Sequence, residues 1–141
     1  MMLVVDASVA LKWFLDEEGA TEAGLLLAGG NILIAPDLIM PEICNSTWKL
    51  VRRAMMDESQ QIAAVARLPS MLDELVPAGP LAPRAAAISM LLDQPAYDCF
   101  YLALAEQRGA TMVTADRRLI QRVSGTIWRK TVTDLRAFAT G

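Results

Sequence analysis

The sequence contains no histidine among its 141 residues. Hydrolases with a Ser-His-Asp triad, ribonucleases that use histidine as acid and base, and metalloproteases with an HExxH helix all require that side chain. A glycine-rich phosphate-binding loop is also missing. These absences exclude the corresponding machineries and direct attention to the carboxylates.

Cysteine is scarce, and Cys44 and Cys99 form no close pair of the redox or zinc-binding kind. Both fall within predicted helices, where we interpret each as a small buried hydrophobic residue that forms no disulfide. No apolar run approaches the roughly 18 residues of a membrane-spanning helix, and the N-terminus lacks a basic segment followed by a signal core. We therefore expect one domain over 1–141, in the cytoplasm and without membrane association.

Basic residues are few in the first part of the chain. Residues 1–107 contain 6 Lys/Arg against 14 Asp/Glu, whereas residues 108–141 contain 7 against 2, within a net charge of −3. Basic side chains beside an acidic site attract a polyanionic substrate, although a solvated helix face has the same appearance. The candidates for contacts to such a substrate are Lys12, Lys49, Arg117, Arg118 and Arg122.

Short aliphatic runs alternate with helical segments along the chain. Strands are predicted at 2–6, 31–35 and 111–114, with a brief strand at 75–76. Helices are predicted at 9–15 with Ser8 as N-cap, at 20–28, from Asp37 or Met40 to about 56, from the cap Asp57 to before Pro69, from Pro83 to about 93, at 97–108 and at 117–123. No element is assigned beyond 127. The alternation predicts an α/β fold with a mainly parallel central sheet covered on both faces.

Four acidic residues stand at the ends of apolar segments. Asp6 ends the predicted strand 2–6, and Asp116 follows the strand 111–114 after Ala115. Glu42 and Asp98 lie in the opening turns of predicted helices. Sites of parallel sheets form outside the carboxyl ends of the strands, so all four side chains can lie on one edge. A carboxylate beside a buried segment is costly to desolvate unless a cation or hydrogen-bond donors compensate it. Glu42 or Asp98 alone is explained by helix capping, but the joint pattern indicates a site for a hard divalent cation.

Four segments carry a resemblance to a known family: VVDASV at 4–9, APDL at 35–38 leading to Glu42 and Asn45, PAYDCFYLALA at 95–105, and VTADRRL at 113–119. Over nearly its whole length the sequence resembles PIN-domain nucleases of the VapC type, which are toxins of bacterial toxin–antitoxin pairs. The resemblance implies a PIN-like three-layer α/β/α fold and a metal-dependent endoribonuclease that cleaves cellular RNA with metal-activated water.

The resemblance also implies roles for individual residues. Asp6, Glu42, Asp98 and Asp116 match the acidic quartet that holds Mg²⁺ or Mn²⁺, with Asp6 and Asp98 as the expected direct ligands. Ser8, Asn45 and Thr114 match polar positions that orient carboxylates or bound water through hydrogen bonds. Asp93 and Asp134 stand in no motif, and we expect helix-end or surface roles for them.

A small antitoxin protein and a homodimer are the protein partners that the resemblance implies, beside an RNA substrate. Apolar side chains that could anchor a partner segment are Trp13, Phe14, Trp48, Met55 and Met56, with core packing as the alternative for each.

Other classes fit parts of the pattern. An acidic α/β domain that binds a partner protein would explain the charge, but intact acids at all four positions favour an enzyme. A haloacid-dehalogenase-type phosphatase needs a second carboxylate two residues after the first aspartate, where this sequence has Ser8. A receiver-type phosphoacceptor needs adjacent acids after the first strand and an aspartate after a middle strand, where this sequence has Ala35 and Pro36.

Overall fold

Five strands form the sheet at the centre of the computed structural model, which describes residues 1–138. They are β1 (Met2–Val5), β2 (Ile32–Pro36), β3 (Glu74–Val76), β4 (Thr111–Thr114) and β5 (Val132–Asp134). All neighbouring pairs are parallel, in the order β3-β2-β1-β4-β5. The predicted parallel sheet is confirmed. The expected domain span includes residues 139–141, which lie outside the described residues.

Helices connect the strands within the described part of the chain. They are α1 (Ala7–Ala10), α2 (Ala20–Ala28), α3 (Ile39–Arg52), α4 (Glu58–Met71), α5 (Ala82–Leu92), α6 (Ala96–Arg108) and α7 (Arg117–Val123), with 3₁₀ turns at Leu11–Trp13, Gly79–Leu81 and Leu135–Phe138. No helix within residues 1–138 is both long and apolar enough to span a bilayer.

The chain winds in two directions from β1. Helices α1 to α4 lead to β2 and β3 on one side, whereas α5 and α6 carry the chain back to β4 on the other side of β1. Right-handed connections between parallel strands place the two sets of helices on opposite faces, which gives three layers. A crevice opens where the direction reverses, outside the carboxyl ends of β1 and β4. Asp6 and Asp116 follow those two strands.

The buried core holds the helices that carry the other two acids. Leu3, Val4 and Val5 are fully buried because both faces of β1 are covered. Helix α6 contacts β1, β2 and β4, and its residues 101–105 are buried. The core therefore fixes α6, and with it Asp98 in the first turn, relative to the end of β1.

The expected N-cap at Ser8 is wrong. Asp6 caps α1 by accepting a hydrogen bond from the backbone N–H of Val9. Helix α1 is also shorter than predicted, since it passes into the 3₁₀ turn Leu11–Trp13. The hydroxyl of Ser8 turns instead towards the ends of β1 and β4.

Two further helix ends differ from the predictions. Helix α3 stops at Arg52 because Ala54 adopts a left-handed conformation (φ 57°) and the N–H of Met55 bonds to the carbonyl of Leu50 at 2.9 Å. Helix α4 begins at the predicted cap Asp57 but continues through Pro69. Pro69 lies in the last turn of α4, and its missing N–H removes one helical hydrogen bond there.

Two further differences concern the edge of the sheet and one cysteine. Strand β5 lies in the stretch where the sequence assigns no element; it has three residues and pairs with β4 at the edge of the sheet.

Cys99 is buried as expected, but Cys44 is exposed on α3, and neither cysteine forms a disulfide. Neighbouring helical positions face different directions, so burial of Ile43 leaves Cys44 on the outside.

Candidate metal centre

The four predicted acids lie at the reversal point of the sheet. Asp6 follows β1 directly, and Asp116 follows β4 after one intervening residue. Glu42 and Asp98 lie in the first turns of α3 and α6. The positive end of each helix dipole favours a carboxylate at these positions, which partly offsets the crowding of negative charge.

Asp6 is held by three hydrogen bonds at the bottom of the site. Its Oδ1 accepts from the Ser8 hydroxyl at 2.6 Å and from the Val9 N–H at 3.1 Å, and its Oδ2 accepts from the Thr114 hydroxyl. A carboxylate has about four acceptor positions, so one remains for a cation. Burial raises the pKa of Asp6 from 3.8 to about 6, against the opposing effect of these hydrogen bonds.

Ser8 and Thr114 also join the ends of β1 and β4. The Ser8 hydroxyl accepts a hydrogen bond from the N–H of Ala115 at 3.0 Å, and the Thr114 hydroxyl accepts from the N–H of Asp116 at 3.1 Å. Asp116 caps α7, because its Oδ1 accepts from the N–H of Arg118 at 2.9 Å. The same network thus sets the orientations of Asp6 and Asp116.

Glu42 and Asp98 each have one side-chain partner. The Tyr101 hydroxyl donates to Oε1 of Glu42 at 2.5 Å, and the Gln94 amide donates to Oδ2 of Asp98 at 2.9 Å. Burial raises the pKa of both carboxyls, while the hydrogen bonds oppose that rise. Sequence reasoning missed both partners. Gln94 stands four residues before Asp98, in the segment that leads into α6, whereas Tyr101 bonds to Glu42 on another helix. The local sequence therefore offered a signal for Gln94 alone.

Electrostatic coupling joins the four carboxylates into one group. The charge of Asp98 raises the pKa of both Asp6 and Glu42, and the charge of Asp116 raises the pKa of Asp98. These contributions are smaller than that of burial, but all of them act in the same direction. Negative charges that raise one another's pKa are relieved by a cation placed among them.

The donor atoms fit a hard cation. Oε2 of Glu42, Oδ1 of Asp98 and Oδ2 of Asp116 accept no hydrogen bond from residues 1–138. They are open to solvent, since every buried side-chain oxygen in that range has a partner. No three acidic or cysteine side chains of the described chain are grouped closely enough to ligate one ion together. Mg²⁺ or Mn²⁺ bound by one or two carboxylates, with water and substrate oxygens completing the octahedron, is compatible with that spacing.

An open groove of about 750 Å³ adjoins the acids. Asp98 and Asp116 line it together with Arg118, Gln121 and Arg122. Two of the predicted basic residues, Arg118 and Arg122, therefore lie beside the carboxylates. A phosphate in this groove would meet positive charge next to the acidic group.

The other predicted polar and basic residues are placed differently. Arg117 lies 3.7 Å from Glu18 in a separate hollow, which Lys12 also lines. The ammonium group of Lys12 contacts Glu17 and the carbonyl of Glu18. Lys49 and Asn45 are exposed on α3, and the amide of Asn45 makes no hydrogen bond to residues 1–138.

The remaining candidates divide between core and surface. Trp48 and Met55 are exposed, whereas Met56 is buried and belongs to the core. Trp13 and Phe14 are half-buried against the core. At the two acids outside the quartet, Asp93 ends α5 in a left-handed conformation and Asp134 pairs with Arg136 at 2.6 Å.

The model of the PIN domain family matches residues 3–125. The chain belongs to the PIN-domain family. It is 29% identical over 124 residues to Ribonuclease VapC3 of Pyrobaculum aerophilum, which covers 86% of this chain and 95% of that protein. This similarity agrees with the family resemblance carried by the four sequence segments.

Solved structures confirm the PIN-like fold. The crystal structure of PAE2754 from Pyrobaculum aerophilum matches with a TM-score of 0.74 and 21% identity, covering 100% of this chain and 97% of that one. The structure of VapBC2 from Rickettsia felis bound to a DNA fragment from its promoter matches with a TM-score of 0.66 and 14% identity, covering 95% and 98%. At these identities the likeness concerns the fold of this PIN domain.

Proposed function

We propose that this PIN domain is a Mg²⁺- or Mn²⁺-dependent endoribonuclease, the toxin of a toxin–antitoxin pair, which acts on cellular RNA in the cytoplasm. The observation that carries the proposal is the hydrogen-bond network that joins Asp6 to Asp116 through Thr114, beside a groove that Asp98 and Asp116 line together with two arginines. The similarity to Ribonuclease VapC3 supports RNA as the substrate. The fold shared with VapBC2 supports a protein antitoxin, and a homodimer completes the proposal.

The carboxylates would hold the cation, with Asp6 and Asp98 as its main ligands. Asp6 is suited to this task because Ser8, Val9 and Thr114 fix its orientation before any ion arrives. A divalent cation supplies a water of lowered pKa and neutralises charge that develops on the scissile phosphate.

Other residues would handle the proton and the substrate. Tyr101 occupies Oε1 of Glu42, so Oε2 is the atom available to accept a proton from the attacking water. The raised pKa of Glu42 makes its carboxylate a stronger base, in a sequence with no histidine for that role. Arg118 and Arg122 would bind phosphates of the RNA in the groove.

Cleavage of total RNA by the purified protein tests the proposal. We expect cleavage with Mn²⁺ or Mg²⁺, none with EDTA, and a loss of about 100-fold or more in Asp98→Asn, which keeps the shape of the side chain but removes its charge. Asp93→Asn is the matched control. Asp93 lines the same groove, and asparagine tolerates its left-handed conformation.

Cleavage that survives EDTA, or falls equally in both variants, would contradict the metal-dependent mechanism. Expression in bacteria tests the toxin role separately. The parent should slow growth, Asp98→Asn should not, and co-expression of the neighbouring reading frame should restore growth. If the parent protein cleaves RNA in vitro but never slows growth, the proposed nuclease activity would stand and the proposed toxin role would be contradicted.

A further inference from the structure

A second basic surface lies on α3, outside the groove described above. It consists of Trp48, Lys49, Arg52 and Arg53, which line a shallow hollow of about 410 Å³ near the C-terminal end of the helix. All four side chains are exposed. None of the three cations lies within salt-bridge distance of an acidic side chain in residues 1–138.

The helix connects this surface to the acidic site. Lys49 follows Glu42 by seven positions, close to two full helical turns, so both lie on one side of α3. Arg53 is the C-cap eleven positions after Glu42, close to three turns, and continues that side. At 1.5 Å per residue they lie about 10 and 16 Å from Glu42 along the axis. Ile43 and Thr47, on another side of the helix, are buried. A line of positive charge therefore leads away from one carboxylate of the site along an exposed face.

Trp48 adds an aromatic surface to this charge. The guanidinium of Arg52 lies 5.3 Å from the centroid of its ring, and the side chain is nevertheless 51% exposed. Arg52 holds the indole in place while leaving part of the ring open. Bases of single-stranded nucleic acid stack on such rings, while neighbouring cations bind the phosphates.

We propose that Trp48, Lys49, Arg52 and Arg53 bind the single-stranded RNA that flanks the scissile phosphate, with one base stacked on Trp48. This inference rests on the proposed nuclease function and extends the substrate site from Glu42 along α3. RNA would then be bound on two sides of the carboxylates, by Arg118 and Arg122 on α7 and by the α3 surface. Charge complementarity selects a polyanion, and the exposed indole selects unpaired bases over a duplex.

Binding of a fluorescein-labelled oligouridine, measured by anisotropy in EDTA so that no cleavage occurs, tests the α3 surface. Trp48→Ala should weaken binding by about 5- to 100-fold, and Trp48→Phe should retain most of the affinity. Lys49→Glu with Arg53→Glu should lower the slope of log K against log salt by about 1.4, which corresponds to two lost phosphate contacts on a single strand. Unlabelled oligouridine should quench part of the tryptophan fluorescence of the parent, which comes from Trp13, Trp48 and Trp128, and this quenching should be lost in Trp48→Phe.

The charge-matched control is Arg129→Glu with Lys130→Glu, which makes the same change in net charge at two exposed positions before β5. We expect this pair to leave the affinity within about twofold, because screening limits long-range effects at physiological salt. In Mn²⁺, the α3 variants should raise KM for RNA cleavage and leave kcat near the parent value, since none of these side chains belongs to the proposed reacting group. Unchanged thermal unfolding would establish that the variants are folded.

Parent-like binding in the α3 variants, in a protein that still cleaves RNA, would overturn the α3 surface alone. Equal losses in the α3 pair and the control pair would overturn it as well, since net charge would then suffice. Loss of dimer mass in light scattering, with unchanged RNA affinity, would assign the surface to a second copy of the chain. A parent protein that neither binds nor cleaves RNA would overturn the proposed function together with this inference.

Discussion

The hydroxyl of Tyr101 donates a hydrogen bond of 2.5 Å to Oε1 of Glu42 and so joins α6 to α3 at the acidic site. Tyr101 is only 1% exposed, and Asp98 lies one turn before it on the same helix. Burial of the ring raises the pKa of Tyr101 most, and the charges of Glu42, Asp6 and Asp98 raise it further. The hydroxyl therefore stays protonated and acts as a fixed donor to Glu42.

Tyr101→Phe should reduce RNA cleavage about 10-fold or more while the protein stays folded. Removal of the hydroxyl frees the Glu42 side chain and removes the hydrogen bond that holds down its pKa. The rising limb of kcat against pH should accordingly move to higher pH. Loss of a hydrogen bond to a carboxylate should cost about 1 to 3 kcal/mol of stability.

Steady-state cleavage assays across pH, with urea unfolding in parallel, measure both effects of Tyr101→Phe. Tyr97→Phe is the control, because Tyr97 is 63% exposed on the same helix and makes no side-chain hydrogen bond within residues 1–138. An unshifted pH profile in Tyr101→Phe would show that the hydroxyl does not position Glu42.

Asp98→Asn should separate stability from activity. Asp98 raises the pKa of its neighbours through repulsion, so its neutralisation should stabilise the metal-free protein by about 1 kcal/mol, or about 2 to 6 °C in Tm. Mn²⁺ should raise the Tm of the parent by selective binding to the folded state and raise that of the variant much less. Differential scanning fluorimetry with EDTA or Mn²⁺ measures both. Equal Mn²⁺ stabilisation of parent, Asp98→Asn and Asp6→Asn would contradict a shared metal site.

Asp6 should make the metal-free protein less stable as pH rises. Its pKa is raised from 3.8 to about 6, so between these values the folded protein binds more protons than the unfolded chain, and the free energy of unfolding falls with increasing pH. The contribution of Asp6 to the free energy of unfolding is fully present below about pH 3.8 and is lost as the pH passes about 6. A shift of about two units corresponds to about 3 kcal/mol.

Urea unfolding in EDTA at a series of pH values measures this dependence on Asp6. Asp6→Asn cannot titrate at this position, so its free energy of unfolding should fall less than that of the parent over the same range. The raised pKa values of Glu42 and Asp98 account for the fall that remains. Asp57→Asn should keep the parent's fall in stability, because Asp57 is an exposed cap whose pKa is lowered rather than raised. A parent profile that rises with pH over this range would contradict the assignment to Asp6.

Charge reversal should distinguish the three arginines of α7. Arg118→Glu and Arg122→Glu should each weaken RNA binding and reduce its salt dependence, since both side chains line the groove of Asp98 and Asp116. Arg117→Glu should have a smaller effect, because Arg117 faces Glu18 in another hollow. Anisotropy titrations at several salt concentrations provide the comparison. A larger effect of Arg117→Glu would place the RNA path on the side of Lys12.

The positions of the acids were predictable because they follow from strand ends. Val5 and Thr114 end parallel strands, and the carboxyl ends of parallel strands share one edge. The hydrogen-bond partners of those acids were harder to predict from the sequence. That Ser8 binds Asp6 and Ala115 rather than capping a helix depends on the contact between β1 and β4, which are separated by about a hundred residues.

The local sequence pattern by itself determined the alternation of strands and helices, the burial of β1, the cap at Asp57 and the candidate acids. Tertiary structure decided the remainder. Strand β5 exists because β4 offers it an edge, Met56 is buried while Met55 is exposed, and Arg118 rather than Arg117 faces the groove. These outcomes depend on which surfaces meet across the fold. A short segment cannot contain that information, because long-range packing and electrostatics arise only when distant residues are brought together.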